Sequence, residues 1–381
     1  MDRTSSRVDT SVPFRNQNII VMKAYASPAA ISIQKMAYVA CNVYVSAGGE
    51  IGHGPILLDL LRQAQSMCQP GKVSVVHAYA DPVYNRSSFH LVGQAEPLSN
   101  VAASLASGAI RSLRSYASTT TTTPHPSSTR PMVVKEETDR RVHHPYVGFV
   151  DHVSIMPVEG KDSIELNTND DESDCDRDNF VPSTPSGIAA RYVGKVLQEE
   201  LGIQVYYYGS AHPQGIPLAT IRRDKTRFFR SGGLSNKDGN DVERSRTIEV
   251  ATIGAPLEFV ENYNIRMKST CSKKIAQSLT RHVRERDGGL SGVEALTLPY
   301  SQGRWEVACN LLHPTLASVN DIDNHIQSWQ QQQQSTNFVE SAYRVGTTSQ
   351  QCLECITNLN DSSAWKKHNT QVEDRLKLYL S

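Results

Sequence analysis

Apolar and polar positions along the chain fall into two successive runs of strand-like and helix-like segments. In the first run, Met36 to Val45 is rich in Val and Tyr and predicts a strand. Ser46 to Gly54 holds four glycines and reads as a loop. Pro55 then opens a helix with apolar residues at 56, 57, 58, 60, 61, 64 and 67. After Pro70-Gly71, Val73 to Tyr79 and Ser87 to Gly93 predict a hairpin around a turn at Asp81 to Arg86. Leu98 to Tyr116 carries an Ala/Leu/Ile stripe with Ser99 or Asn100 as a cap, and predicts a second helix. Phe149 to Met156 predicts a fourth strand. Ser186 to Leu201 is the clearest helix; Gly202 ends it and Ile203 to Tyr208 follows as a strand. From residue 36 to 157 the order is β-α-β-β-α-β, the split β-α-β pattern of ferredoxin-like units.

The second run repeats that order. A turn at Gly254-Ala255-Pro256 precedes a strand from Leu257 to Ile265, and Ser272 to Glu285 predicts a helix. Val293 to Leu298 and Trp305 to Leu311 predict strands. Pro314 opens a helix with Leu316, Val319, Ile322 and Ile326 in register. Gln330 to Gln334 reads as a disordered bridge before a last strand, Val339 to Val345. The expected fold class is therefore α/β (α+β), with two ferredoxin-like βαββαβ subdomains packed side by side and a cleft between them. Such a cleft is the default ligand site. The expected organisation is a flexible leader (1–33), a first subdomain (34–215), a basic linker and loop (216–247), a second subdomain (248–357) and a C-terminal tail (358–381). Insertions are placed near 118–135, where a threonine run meets Pro124-His125-Pro126, and at 161–185, which holds the acidic run Asp170 to Asp178.

Composition narrows the classes of function. A length of 381 residues at 39% hydrophobic content supports two to three domains with a sizeable core. Lys plus Arg and Asp plus Glu are each 39, so the formal charge is zero, and basic residues do not alternate with aromatic ones. No nucleic-acid partner is expected. No run of eighteen apolar residues exists and the N-terminus lacks an apolar signal core, so no membrane association and a cytoplasmic location are expected. Seven cysteines at scattered spacings fit a reducing compartment. Cys352-x-x-Cys355 has no second such pair, and the acidic run lacks the Gly and closing Glu of a calcium loop. No metal is expected.

The densest chemistry lies in His143 to His152, which holds three histidines and an aspartate in ten residues. Its first half reads as a loop around Pro145 and Gly148, and its second half as a strand carrying Asp151 near its start. Reactive groups on a loop held by a strand end are a common way to build a site. Downstream, Arg222, Arg223, Lys225, Arg227 and Arg230 form a basic cluster that either grips carboxylates or phosphates or is a solvated linker.

Several short segments resemble one family in their order. These are Tyr79 to Ser87 with Asn85-Arg86, the HPxxGxxD pattern at His144, Pro145, Gly148 and Asp151, and Ile216 to Arg222. Ala251 to Ala255 followed by Asn264-Ile265, and Asn310-Leu311-Leu312, complete the set. Together they resemble the formiminotransferase domain of formimidoyltransferase-cyclodeaminase over about residues 36 to 356, as a divergent stand-alone member without the cyclodeaminase part. The resemblance implies two α/β subdomains in a homodimer. It implies transfer of the formimino group from N-formiminoglutamate to N5 of tetrahydrofolate, a co-substrate, with no metal. His144 stands where the family has its catalytic histidine, and an imidazole can take and return the proton that this transfer moves. Asp151 is expected to orient that ring or to stabilise its charged form. Asn85 and Arg86 are expected at the pterin edge or a glutamate carboxylate, Arg222 and Arg223 at carboxylates. Tyr79 or Tyr84 is expected to stack on the pterin, and Asn310 to supply a polar cleft group. His143 and His152 are read as bystanders.

The chain also departs from the family. Asn42 to Gly48 stands where the family has VPNFSEG, His143 replaces a Glu, Tyr146 an Arg, Tyr79 an acidic residue and Asp81 a glycine. Pro256-Leu257-Glu258 replaces a basic pair, and Lys237 to Thr247 matches the family's folate loop poorly. Each lost charge-assisted contact costs about 1.5–3 kcal/mol. A non-catalytic relative that keeps the fold and binds folate or a protein is therefore the alternative expectation.

Overall fold

The computed structural model describes residues 38–50, 52–120, 144–159, 184–226, 228, 249–333, 337–358 and 361–381. The leader, most of both insertions with the acidic run, His143, Arg227, Arg230 and the segment 231–248 lie outside the described residues.

The first six elements are β1 (Tyr38–Val45), α1 (His53–Met67), β2 (Val73–Asp81), β3 (Arg86–Gln94), α2 (Ala95–Thr120) and β4 (Val150–Pro157). They form an antiparallel sheet in the order β2-β3-β1-β4, the arrangement a ferredoxin-like unit requires. The chain continues through α3 (Pro185–Leu201), β5 (Gln204–Gly209), α4 (Leu218–Lys225) and β6 (Val250–Ala255). β6 inserts beside β4 and β5 pairs on its far side, both in parallel, which extends the sheet to six strands.

The second unit comprises β7 (Glu261–Met267), α5 (Lys273–Val283), β8 (Val293–Pro299), β9 (Trp305–Leu311), α6 (Val319–Gln332) and β10 (Val339–Val345). Its sheet order, β10-β7-β9-β8, repeats the ferredoxin-like pattern. Two helices close the chain, α7 (Ser349–Asn358) and α8 (Ser362–Leu380).

Several boundaries correct the expectations. Gly254-Ala255 is strand rather than turn, and the change of sheet comes after Ala255, not before residue 248. The expected basic linker contains α4, whose Ile221 is buried. The helix expected from Pro314 begins at Val319, because Ser318 and Asp321 form a reciprocal capping box. It runs through Gln332, across most of the expected disordered bridge. The expected tail is a helix: Asp361 caps it, and Val372 and Leu376 enter the main core.

The six-stranded sheet has one apolar and one polar face. Val39, Cys41, Val43 and Val45 of β1 alternate into a core shared with α1, α2 and α3. Asn42 and Tyr44 point the other way. Register places His77, His90, Asn42 and Ser154 in one row, and Tyr79, Ser88, Tyr44 and His152 in the next. Both rows are largely buried, because the second unit packs against this face through bonds such as Tyr44 to Asn262 and Tyr84 to Glu306. A sheet face buried with polar groups forgoes apolar contact, which points to function rather than core.

Candidate active site

The site forms where the polar sheet face meets α4 and the loop before β4. The glycine of the HPxxGxxD pattern has a steric reason: a Cβ at Gly148 would lie 2.3 Å from the Val250 carbonyl oxygen of β6. Ser46 Oγ also donates to the Gly148 carbonyl at 2.8 Å, fixing the loop to β1. The strand that follows brings in Asp151, which is fully buried.

Two guanidiniums converge on that carboxylate. Arg86 at the start of β3 donates through Nη2 to Asp151 Oδ2, and Arg222 of α4 donates to the same oxygen at 3.1 Å. The other oxygen accepts the Val147 N–H at 2.8 Å. Burial alone raises the Asp151 pKa, but Arg86 and Arg222 outweigh it and hold the carboxyl at about 2. Two guanidiniums face one carboxylate in a nearly dry site, with the Glu294 carboxyl of β8 also close enough to interact with Arg222. Arg222 Nε is buried without a hydrogen-bond partner, and its guanidinium lies over the Phe228 ring at 4.1 Å. An orphaned buried N–H on a guanidinium is what an incoming carboxylate satisfies.

His144 is tied to the same cluster. Arg86 Nη1 lies 2.7 Å from His144 Nδ1 and donates to the Pro145 carbonyl at 3.0 Å. That carbonyl also lies 2.7 Å from Nδ1 and competes for it as an acceptor. A guanidinium has no lone pair, so the contact to Arg86 is a bond only when Nδ1 accepts and Nε2 carries the hydrogen. Burial, reinforced by Arg86, lowers the His144 pKa to about 3. The ring is neutral at neutral pH: with Nδ1 accepting from Arg86 its lone pair is held there, and with Nδ1 donating to Pro145 the lone pair sits on Nε2. Arg86 bridges Asp151 and His144, so the expected orientation of His144 by Asp151 runs through Arg86.

The other expected site residues divide. Asn310 on β9 accepts from Asn262 Nδ2 at 2.7 Å, and Asn262 accepts the Tyr44 hydroxyl at 3.1 Å, so Asn310 belongs to a polar chain reaching the first sheet. Asn85 turns instead toward the β1–α1 loop. It has a φ of 51° and accepts the Gly49 N–H at 2.8 Å, which is a structural task. Arg223 is exposed, one helical position away from Arg222. Tyr79 donates to Asp81 and packs against Tyr379 of α8, ring centroids 4.8 Å apart, away from the arginine pair. Tyr84 packs edge-on against His144 at 5.3 Å.

Sequence reasoning missed the contribution of the second sheet. Glu306 of β9, fully buried, accepts from Tyr84, Asn264, Arg266 and Tyr343. It anchors the Tyr84 ring that backs His144. His152, read as a bystander, stacks on Tyr44 at 5.3 Å and bonds the Tyr208 hydroxyl at 2.7 Å. Register with Tyr44 was its signal. Among the described residues, no group of three or more His, Cys, Asp or Glu is arranged to hold a metal.

Comparison with known proteins returns a consistent picture. The profile of the formiminotransferase domain, N-terminal subdomain, matches residues 138–256. That stretch holds His144, Asp151 and Arg222. A formiminotransferase cyclodeaminase-like protein from Arabidopsis thaliana is 25% identical over 340 residues, covering 85% of this chain and 97% of that protein. Among solved structures, the periplasmic protease PqqL from Escherichia coli aligns with 91% of this chain at 11% identity and a TM-score of 0.16. The chain spans 41% of that protease, and so weak a likeness carries no argument.

Proposed function

We propose that the chain is a formiminotransferase-type protein, a reading supported by the match of residues 138–256 and by the Arabidopsis thaliana relative, and that it transfers a formimino group from N-formiminoglutamate to N5 of tetrahydrofolate. The observation that carries the reading is the buried Arg86–Asp151–Arg222 cluster, with two guanidiniums on one carboxylate and an orphaned Arg222 Nε, beside His144. In the proposal, a glutamate carboxylate of the donor docks on these guanidiniums. A carboxylate competes with His144 for Arg86, and each N–H it draws away frees the Nδ1 lone pair. Because Arg86 lowers the His144 pKa, its departure raises it. The N5 lone pair then attacks the formimino carbon and forms a tetrahedral adduct. His144 takes the N5 proton and returns it to the glutamate nitrogen as the carbon–nitrogen bond breaks, so glutamate leaves as the amine.

A second reading, a ligand-binding relative without turnover, is favoured by one observation: Arg86 Nη1 lies 2.7 Å from His144 Nδ1, and in the tautomer with Nδ1 as acceptor it occupies the lone pair that His144 offers as a base. Calorimetric titration with N-formiminoglutamate tests the docking common to both. Wild type is expected to bind, and Arg222→Ala to weaken binding by about tenfold to a hundredfold, the loss of one charged hydrogen bond. Equal affinity of the two proteins would remove the arginine cluster from the binding site.

A further inference from the structure

Away from the inter-sheet site, residues of β2, the turn after β10, α7 and α8 line an open cavity of about 300 Å³. None of Arg86, His144, Asp151 and Arg222 lines it. Its size lies at the low end for small-ligand pockets. The cavity depends on the two terminal helices, which lie outside both ferredoxin-like units. Val372 and Leu376 anchor α8 in the core, so this wall is fixed.

Two opposite charges line the cavity, and neither is neutralised by the protein. His77, buried on β2, forms one wall, and Arg375 of α8 lies 3.1 Å from its Nδ1. The guanidinium can only donate, so His77 accepts through Nδ1. Arg375 is thus held by a neutral ring rather than an acid. Its sequence neighbours Glu373 and Asp374 are engaged by Arg62 and Lys377, and no carboxylate partners Arg375 among the described residues. On α7, Glu354 also lines the cavity; it accepts from the neutral Gln350 amide at 3.0 Å, and no cation partners it among the described residues. The other polar lining groups are neutral: the Thr347 hydroxyl, the Gln351 amide, the Cys355 thiol, whose pKa burial raises to about 12, and His368, whose pKa burial lowers.

We propose that this cavity binds a free α-amino acid, its carboxylate on Arg375 and its ammonium on Glu354. A simple anion or a simple cation leaves one of the two protein charges unpaired, whereas a zwitterion pairs both within one small molecule. This site is separate from the proposed transferase centre and does not depend on it.

Calorimetric titration of the full chain with the common L-amino acids, one at a time, tests the proposal. At least one is expected to saturate at one per chain. Its amide and its N-acetyl derivative are each expected to bind at least about tenfold more weakly. Arg375→Gln and Glu354→Gln, both at exposed positions, are expected to weaken binding by a similar factor, while Arg222→Gln leaves it unchanged. The proposal is overturned if no amino acid saturates, if either charge can be masked on the ligand without loss, or if binding follows Arg222 instead of Arg375.

Discussion

Asp151 shows why single residues here cannot be judged by type. A fully buried carboxylate is costly unless paired, and two arginines pair it. Replacing it with Asn removes the negative charge and strands both guanidiniums. Asp151→Asn is therefore expected to destabilise the fold by about 3–5 kcal/mol, the range for breaking a buried pair, read by urea denaturation. A loss under about 1 kcal/mol would mean that the arginines find other partners. Arg86 predicts a second effect with a definite sign. It lowers the His144 pKa, so Arg86→Ala is expected to move the ring's titration midpoint upward, toward the ordinary value of 6.5. Histidine NMR resonances followed against pH would report it, and a midpoint that stays or falls would refute the coupling. At this scale, His144, Asp151, Arg86 and Arg222 were legible because each sat in a short pattern whose chemistry was plain. Asn85 and Arg223 lie apart from that cluster for physical reasons: a positive φ turns Asn85 to the loop, and the helix α4 sends neighbouring arginines in different directions.

At the scale of elements, most strands were read correctly, the parallel edge strand β5 among them, but the parallel strand β6 between β4 and β5 was not. Val250 to Ala255 lies between β4 and β5, and its Gly254-Ala255-Pro256 end resembles a turn. Close packing there leaves a testable mark at Gly148. Gly148→Ala would drive a methyl into the Val250 carbonyl, and overpacking of this kind costs about 1–3 kcal/mol. Chemical denaturation should show that loss, and unchanged stability would mean that the loop before β4 is free to shift. The start of α6 was legible in hindsight. Ser318 and Asp321 carry the spacing of a capping box, and Pro314 drew attention from it.

For the whole molecule, the two-unit α/β plan was visible because the pattern occurs twice. The polar sheet face was invisible, since nothing local says that Tyr44, His90 and His152 share a surface. That face makes the protein acid-sensitive. Burial lowers the pKa of His77 to about 4 and of His144 to about 3, and holds His90 and His152 well below 6.5. Below about pH 6.5 the unfolded chain binds protons at these rings that the folded chain refuses. Stability should therefore fall as pH drops from about 6.5, by up to about 1.4 kcal/mol per pH unit for each such ring. Asp151, at about 2, keeps its contribution until far lower pH. Urea midpoints at about pH 7 and about pH 5 would check this, and a flat profile would refute neutral burial of the histidines.

The central claim, that the arginine–aspartate cluster and His144 serve formimino transfer, is tested most directly by product. Purified protein is incubated with tetrahydrofolate and N-formiminoglutamate, and 5-formiminotetrahydrofolate and free glutamate are measured together. The account predicts equal amounts of both, with turnover lost by at least about a hundredfold in His144→Ala, the scale of general acid–base catalysis. Absence of both products from protein that demonstrably binds the two compounds, or full turnover in His144→Ala, would contradict it.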